Sequence, residues 1–394
     1  MTMKRIIISL ATLLICVASF AQQALWSAPS TISPQINEDN SVTFRLSAPK
    51  AVKVQVIGDF LPAEGVAAED VPQTADMVEK DGIWEYTTKP LASELYSYTF
   101  VVDGLKILDP SNIYINRDVA RVVNIFIVGN GQGDYYKVND VPHGSISKVW
   151  YDSPTTGLRR RMTVYTPAGY EQNKKTKYPV FYLLHGAGGD EDAWMTLGRT
   201  AQILDNLIAQ GKAEPMIVVM TNGNAGEMSA PGENHEGLKV PQSRQRGMMD
   251  GKFEESFPDV VNFIESSYRV YKDKKHRAIA GLSMGGYHSM HISKYYPDMF
   301  DYVGLFSAAP RFHKESECPV YQNEMDQLAA QFAKKPALYW IAIGKDDFLY
   351  QGNVKLREIL DTNGYEYEYF ENGDGHIWKN WRIYLTMFVP RLFK

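Results

Sequence analysis

The sequence has very little cysteine. Only Cys16 and Cys318 occur in 394 residues, and Cys16 lies in an apolar stretch at the amino terminus. Beyond that stretch a single thiol excludes an internal disulfide, and no CxxC pair is present to hold a metal or a redox centre. A lone cysteine of this kind is typical of a small buried apolar residue. Hydrophobic cores therefore have to provide the stability of the fold.

A large excess of one charge is also absent. The chain carries 41 Lys and Arg against 46 Asp and Glu, a formal net charge of −5, so it lacks the basic footprint of a nucleic-acid-binding protein. It contains no HExxH, no GxxxxGK[ST] and no GxGxxG at the start of a helix. We therefore predict no metal, no cofactor and no nucleic-acid partner.

Long apolar runs are confined to the first 21 residues. Lys4 and Arg5 precede an apolar segment, and Ser19 and Ala21 supply the small residues at which a signal peptidase cuts. We expect cleavage after Ala21 and export to the periplasm or out of the cell. An uncleaved anchor is the alternative, but the segment is shorter than a membrane-spanning helix normally requires. Elsewhere the sequence predicts no membrane span.

The region 22–130 is predicted to be a small all-β, immunoglobulin-like sandwich. Short segments such as SVTFRLSA and AVKVQVIG alternate apolar and polar residues, and Gly, Pro and Asp separate them. Residues 131–144 lack periodicity and are rich in Gly, Asn and Asp, which indicates a linker.

Residues 145–394 are predicted to form an α/β domain with a mostly parallel sheet covered by helices on both faces. Nearly continuous apolar runs alternate there with helical patterns, which we place at 200–210, 253–268, 285–296 and 353–363. In such sheets the chemistry gathers at the carboxyl ends of the strands.

The segment AGLSMGGYHS follows one of these apolar runs and contains G-x-S-x-G around Ser283. The small residues allow a sharp strand-to-helix turn that lifts a serine hydroxyl above the sheet. A glycine-bounded packing turn is the structural alternative. Because serine is a weak nucleophile without an adjacent base, the hypothesis needs a histidine and a carboxylate at the same edge.

Later segments supply both groups in the chain order of Ser-Asp-His hydrolases. His376 lies in FENGDGHIWKNW, just beyond the last predicted strand, YEYEYF, and Asp346 and Asp347 follow the strand LYWIAI. Sequence physics alone does not separate the two aspartates, and Asp374 is a weaker rival. The segment HGAGG at 185–189 also follows a strand, and such a turn aims a backbone N–H at an oxyanion, together with the N–H of Met284.

These motifs, with RRRMTVYTPAGY, IGKDDFLY and GHIWKNWR, resemble the esterase-D-like α/β-hydrolases of carbohydrate esterase family 1, which includes feruloyl and acetylxylan esterases. The resemblance implies a catalytic Asp347, three residues after Gly344, and oxyanion donors at Ala187 and Met284. GIWEYTTKPL, YSYTFVVDG and LDPSN resemble, more loosely, a carbohydrate-binding-module-48-like sandwich. Such a domain either binds glycan or packs against the esterase.

The resemblance and the export signal predict a serine esterase that removes feruloyl groups from plant polysaccharide such as arabinoxylan. Phe348, Trp378 and Trp381 flank the catalytic loops and are candidates for an aromatic acid slot or for core packing. The long polar segment 222–251 is a candidate lid. Alternatives are an acetylxylan esterase, an enterochelin-type siderophore esterase, an S-formylglutathione hydrolase and a glycan-binding protein with an inactive hydrolase domain. The sequence does not predict an oligomeric state.

Overall fold

The computed structural model describes residues 31–61, 74–243, 247–314 and 316–394. The predicted signal peptide at 1–21 lies outside these residues. Within them, no helix has both the length and the apolar character that a membrane crossing would require.

Two antiparallel sheets form the amino-terminal domain. Their strands are β1 (Gln35–Ile36), β2 (Val42–Ser47), β3 (Val54–Gly58), β4 (Thr74–Asp76), β5 (Val78–Lys80), β6 (Ile83–Thr87), β7 (Leu95–Val102), β8 (Leu105–Ile107), β9 (Ile115–Asp118) and β10 (Arg121–Ile127). One sheet has the order β1-β2-β6-β5 and the other β4-β3-β7-β10-β9, with β8 paired to β7. Inward-facing apolar residues of both sheets, including Phe44, Val56 and Phe100, make one core. The predicted β-sandwich is confirmed.

An eight-stranded sheet forms the second domain. Its strands are β11 (Ser145–Ser153), β12 (Leu158–Thr166), β13 (Val180–Leu184), β14 (Ile217–Thr221), β15 (Arg277–Leu282), β16 (Tyr302–Phe306), β17 (Leu338–Gly344) and β18 (Glu368–Asn372). The order is β11-β12-β14-β13-β15-β16-β17-β18. The last six strands in this order, β13 among them, run parallel to one another. Every residue of β13 to β17 is buried, as expected where helices cover both faces.

Eight α-helices accompany this sheet in the described part of the chain. They are α1 (Ala193–Thr196), α2 (Thr200–Ala209), α3 (Lys252–Glu255), α4 (Phe257–Ser267), α5 (Met284–Tyr295), α6 (Glu324–Ala333), α7 (Tyr350–Thr362) and α8 (Trp378–Phe388). Short 3₁₀ turns lie at Gln132–Tyr135, Lys274–His276, Pro319–Tyr321 and Val389–Arg391. The predicted helices at 200–210, 285–296 and 353–363 correspond closely to α2, α5 and α7. The segment predicted at 253–268 is divided into α3 and α4, because Pro258 lies in the first turn of α4 and cannot donate a backbone hydrogen bond.

The two domains share a packed interface. Leu95 and Tyr136 belong to the same hydrophobic cluster as the α/β sheet, and Tyr136 is fully buried. The Arg382 guanidinium on α8 donates to Glu94 Oε1 at 3.0 Å, and both side chains are almost completely buried. The Asn206 side chain donates to the carbonyls of Tyr135 and Lys137. The predicted linker is therefore a packed connector rather than a flexible tether.

Candidate active site

Ser283 stands at a strained turn between β15 and α5. Its backbone has φ 53° and ψ −113°, a left-handed φ that a non-glycine residue rarely adopts. A Cβ at Gly281 would lie 2.4 Å from the Gly285 carbonyl carbon, and one at Gly285 would lie 2.3 Å from the Leu184 oxygen. Both glycines of the motif are thus required by close backbone contact, which favours a nucleophile elbow over a loose packing turn.

His376 and Asp347 are joined by a direct hydrogen bond. His376 Nδ1 lies 2.8 Å from Asp347 Oδ2, and Asp347 is almost completely buried after the end of β17. The Leu349 N–H donates to Asp347 Oδ1 at 2.8 Å, which fixes the carboxylate plane. Asp346 is exposed, and the Asp374 carboxylate accepts a hydrogen bond from Lys379 Nζ at 2.7 Å instead. Of the three aspartates that the sequence offered, Asp347 is therefore the one hydrogen-bonded to His376, and its catalytic role stays a prediction.

The same edge of the sheet carries all three predicted catalytic residues. Ser283, Asp347 and His376 follow β15, β17 and β18, which are parallel strands of one sheet. A Cβ at Gly344 would lie 2.1 Å from the Asp374 oxygen, so the end of β17 is in direct contact with the loop that carries His376. Proton transfer from the Ser283 hydroxyl to the His376 ring stays a prediction.

The loop 185–189, called the oxyanion loop below, lies beside Ser283. A Cβ at Gly186 would be 3.3 Å from the Ser283 Cβ, and the Gly189 N–H closes a turn onto the Gly186 carbonyl at 3.1 Å. Among the described residues, no protein acceptor takes the Ala187 or the Met284 N–H. Met284 is also the first residue of α5, where the helix dipole favours negative charge. The binding of an oxyanion by these two amides stays a prediction.

Nearly all of the α/β domain matches a known family model. The Esterase model covers residues 153–392, well over half of the chain.

The chain belongs to the Esterase family.

Relatives of this chain include a curated protein of Xylanibacter ruminicola, an endo-1,4-beta-xylanase/feruloyl esterase. It is 29% identical over 372 residues, which are 93% of this chain and 46% of that protein. The chain thus spans about half the length of this relative. A solved CE1 ferulic acid esterase from Anaeromyces mucronatus has a TM-score of 0.54 and 28% identity, and the match covers 66% of this chain and 95% of that one.

A third match extends over both domains. The enterobactin esterase of Shigella flexneri has a TM-score of 0.60 at 16% identity, with 89% of this chain and 92% of that chain covered. At this identity the likeness concerns the fold alone. The α/β-hydrolase fold preceded by a small β domain is therefore an arrangement that occurs elsewhere.

The aromatic residues predicted to bind substrate occupy different environments in the esterase. Phe348 is 68% exposed, and its ring centroid lies 4.6 Å from that of His376. Trp381 belongs to the hydrophobic core and also contacts the His376 ring, with a centroid distance of 4.9 Å. Trp378 is partly buried against Trp381 and Trp194. Of the three, only Phe348 is largely exposed, while Trp381 packs against the imidazole from within the core.

The predicted lid at 222–251 is anchored at its beginning. Arg160 donates to the carbonyls of Asn222 and Asn224 at 2.6 and 2.9 Å, and the Ala230 N–H donates to Glu191 at 2.8 Å. Between this segment and the oxyanion loop lies a cavity of about 620 Å³. Its lining includes Gly188, Asn224 and Gln242. A substrate-contacting role for the segment stays a prediction, and the cavity gives it a location.

His185 opens the oxyanion loop and is held in one neutral tautomer. Its Nδ1–H donates to the Gly186 carbonyl at 2.7 Å, and Nε2 accepts the Gly223 N–H at 2.7 Å. A proton on Nε2 would point at the Gly223 N–H, so that two N–H groups would face each other. Burial lowers the pKa of His185 from 6.5 to about 4. His185 therefore has a structural role here and is not available as the catalytic base.

We expect this histidine to make the fold sensitive to acid. Below pH 6.5 the unfolded chain binds a proton that folded His185 does not accept until about pH 4, so stability falls as pH falls through this window. The contribution is on the order of 3 kcal/mol. Denaturant unfolding between pH 4 and 7 should therefore show a shallower pH dependence for His185→Gln than for the wild type. His235→Gln, at an exposed histidine, is the control. Equal slopes for the wild type and His185→Gln would contradict the prediction.

One group outside the site has the composition of a metal centre. Ligand atoms of His291, His313 and Glu324 lie within 4.8 Å of one another. The Lys294 ammonium already pairs with Glu324 Oε2 and lies 2.6 Å from His291 Nδ1. Burial lowers the pKa of Lys294 to about 8, so this lysine is largely protonated at neutral pH. An internal cation thus occupies the place of a metal, and the group is best described as a buried ion-pair network.

Proposed function

We propose that the protein is a serine carboxylic-ester hydrolase that removes feruloyl groups from plant cell-wall polysaccharide such as arabinoxylan. The observation that carries the proposal is the His376–Asp347 hydrogen bond at the sheet edge that also holds Ser283. Membership of the Esterase family and the two relatives named for feruloyl or ferulic acid esterase activity support the acyl class.

The proposed reaction is acyl transfer to water through a covalent intermediate. His376 Nε2 takes the Ser283 proton while its Nδ1–H donates to Asp347, and the serine oxygen attacks the ester carbonyl. The Ala187 and Met284 amides bind the oxyanion. His376 then protonates the departing sugar hydroxyl. Water, deprotonated by His376, attacks the acyl-enzyme and releases ferulate and the free serine.

The substrate assignment is tested by comparing esters. Purified protein is assayed on methyl ferulate, naphthyl acetate, acetylated xylan and feruloylated arabinoxylan. The proposal expects ferulate release from both feruloyl substrates and a kcat/KM for methyl ferulate well above that for naphthyl acetate. Preferential release of acetate from xylan would establish the acetylxylan alternative. Hydrolysis of a catechol-type siderophore ester without ferulate release would establish the siderophore alternative.

Phe348 is proposed to contact the acyl ring. Replacement by alanine removes an exposed aromatic face beside His376, and aromatic pairs are worth about 0.5–1.5 kcal/mol. We expect Phe348→Ala to lower kcat/KM for methyl ferulate by about twofold to tenfold, because aromatic stacking is lost, and to leave naphthyl acetate hydrolysis nearly unchanged. Tyr114→Ala, at an aromatic residue that is 69% exposed on the β domain, is the matched control. Equal losses on both esters would refute a specific contact with the acid.

Export is proposed on the sequence alone. The charged and apolar stretch before Ala21 has the form of a signal peptide, and an arabinoxylan substrate lies outside the cell. Expression of the full chain in a bacterial host followed by fractionation and amino-terminal sequencing tests this. A mature chain that begins at Gln22 in the periplasm or medium supports export, and an intact chain in the cytoplasm refutes it.

A further inference from the structure

The turn that joins β9 and β10 of the β domain contacts the oxyanion loop of the α/β domain. Arg117, on β9, donates from one guanidinium nitrogen to the Val119 carbonyl at 2.9 Å, and from the other to Asp190 Oδ2 at 2.5 Å. Asp190 directly follows the oxyanion loop, and its side chain is 3% exposed, against 35% for Arg117. A single guanidinium therefore links the turn of one domain to the catalytic loop of the other.

The Val119 side chain also packs closely against the oxyanion loop at this point. Val119 has φ 52°, a strained value for a β-branched residue, and its side chain packs on Gly188. A Cβ at Gly188 would lie 2.8 Å from Val119 Cγ2, and Gly188 itself has φ 78°. Strain of this kind persists only where the surrounding structure imposes it, and it concentrates at functional sites.

Two further residues next to Arg117 on β9 also contact the α/β domain. The Asn116 side-chain amide donates to the Thr196 carbonyl at 3.4 Å, at the end of α1. Burial raises the pKa of the Asp118 carboxyl, and the Trp378 side chain beside it, two residues beyond His376, partly offsets this rise. Consecutive residues of the β domain thus contact both the oxyanion side and the histidine side of the site.

The acidic residues that follow the oxyanion loop form ion pairs with arginines of different domains. Arg161, within the α/β domain, pairs with Glu191 at 2.7 Å and with Asp192 at 3.2 Å. Among the described residues, the only cation paired with Asp190 is Arg117 of the β domain. Asp190 Oδ1 also accepts the Asp192 N–H at 3.0 Å. Removing Arg117 would leave a buried carboxylate without its countercharge, which is strongly unfavourable. The carboxylate would relax toward water and pull on the loop three residues from Ala187.

We propose that Arg117 is a positioning residue for ester hydrolysis: through Asp190 it holds the oxyanion loop in place, so the β domain completes the active site. The inference rests on the proposed function, because its effect is exerted through the Ala187 amide. Misplacement of a catalytic group by about 1 Å can cost about 10²-fold in rate, and loss of an oxyanion donor costs about 10²–10³-fold in kcat.

The test compares Arg117→Ala, Arg117→Lys and the control Arg45→Ala in the full-length protein. Arg45 forms an ion pair with Glu85 between strands of the same β domain and does not contact the α/β domain among the described residues. Kinetics are measured on 4-nitrophenyl acetate and methyl ferulate. We expect Arg117→Ala to lower kcat by about tenfold to 10²-fold on both esters with KM within about twofold of the wild type. Arg117→Lys should recover much of the loss, and Arg45→Ala should change neither constant.

A double-mutant cycle separates positioning from general destabilisation. Asp190→Asn should lower kcat, and Arg117→Ala added to it should lower kcat by less than a further twofold, because the two side chains act as one unit. A wild-type kcat for Arg117→Ala would overturn the proposal, as would a raised KM at unchanged kcat, which marks a substrate contact. If Arg117→Ala does not fold, the proposal is tested by the kcat values of Arg117→Lys and Asp190→Asn, and a wild-type kcat for Asp190→Asn would overturn it. Wild-type protein that cleaves 4-nitrophenyl acetate but not methyl ferulate would refute the feruloyl assignment and leave this inference testable on the acetate.

Discussion

Ser283→Ala is expected to abolish ester hydrolysis, with kcat falling by about 10⁴–10⁶-fold, because alanine has no oxygen with which to form the acyl-enzyme. The residual activity would come from the oxyanion donors and from binding. Stability should change little, since alanine tolerates φ 53° about as well as serine does and the side chain shrinks by one atom. Initial rates on methyl ferulate, thermal unfolding and labelling with a fluorophosphonate probe measure the outcome.

Ser307→Ala is the matched control for this variant. Ser307 follows β16 as Ser283 follows β15, and it also has a positive φ, 43°. The control should retain its rate within about threefold and keep its reaction with the probe, as expected for a change outside the proposed triad. Retained turnover or retained labelling in Ser283→Ala would disprove the assigned nucleophile. Loss of activity in Ser307→Ala alone would point to the neighbouring strand end instead.

Asp347→Asn is expected to lower kcat by about 10⁴-fold while leaving the fold intact. The Leu349 N–H, which donates to Oδ1 at 2.8 Å, should hold the amide oxygen in that position and leave the amide NH₂ facing His376 Nδ1. The imidazole would then carry its proton on Nε2, in the tautomer that cannot accept the serine proton. Steady-state kinetics on methyl ferulate check the result.

Asp346→Asn provides the comparison, because it makes the same chemical change one residue earlier. Asp346 is exposed, and its N–H donates to the Asp374 carbonyl at 3.2 Å, a backbone contact that the substitution leaves in place. We expect activity near that of the wild type. If Asp346→Asn were the inactive variant, the assignment of the third triad member would be wrong.

The strand-end positions of the site were predictable from the sequence. Ser283 and Asp347 follow apolar runs that form buried parallel strands, and His376 follows YEYEYF, which overlaps the partly buried parallel strand β18. Parallel strands bring their carboxyl ends to one edge. The choice between Asp346 and Asp347 was not predictable from local physics, because both follow β17 within three residues. It depends on which carboxylate turns inward: Asp347 is buried against His376, whereas Asp346 is exposed.

Helix α8 shows what the sequence analysis missed. Trp378 and Trp381 were considered both for an aromatic acid slot and for core packing, but the helix that carries them was not predicted. The spacing of Trp378, Trp381, Leu385 and Phe388 is nevertheless that of an amphipathic helix. This periodicity was available in the sequence. It indicates a buried helical face, and in the structure this face supports His376 and contacts the β domain through Arg382.

The sequence by itself determined the two architectures, the order of strands and helices around the chemistry and the residue types at each strand end, because periodicity and glycine spacing are local properties. Only the tertiary structure decided which aspartate meets His376 and how closely the β domain approaches the oxyanion loop. Arg117 and Asp190 are separated by 73 residues, and no local pattern marks either of them. Their pairing follows from the docking of two domains, which arises from the shape and burial of the whole interface rather than from any segment of the chain.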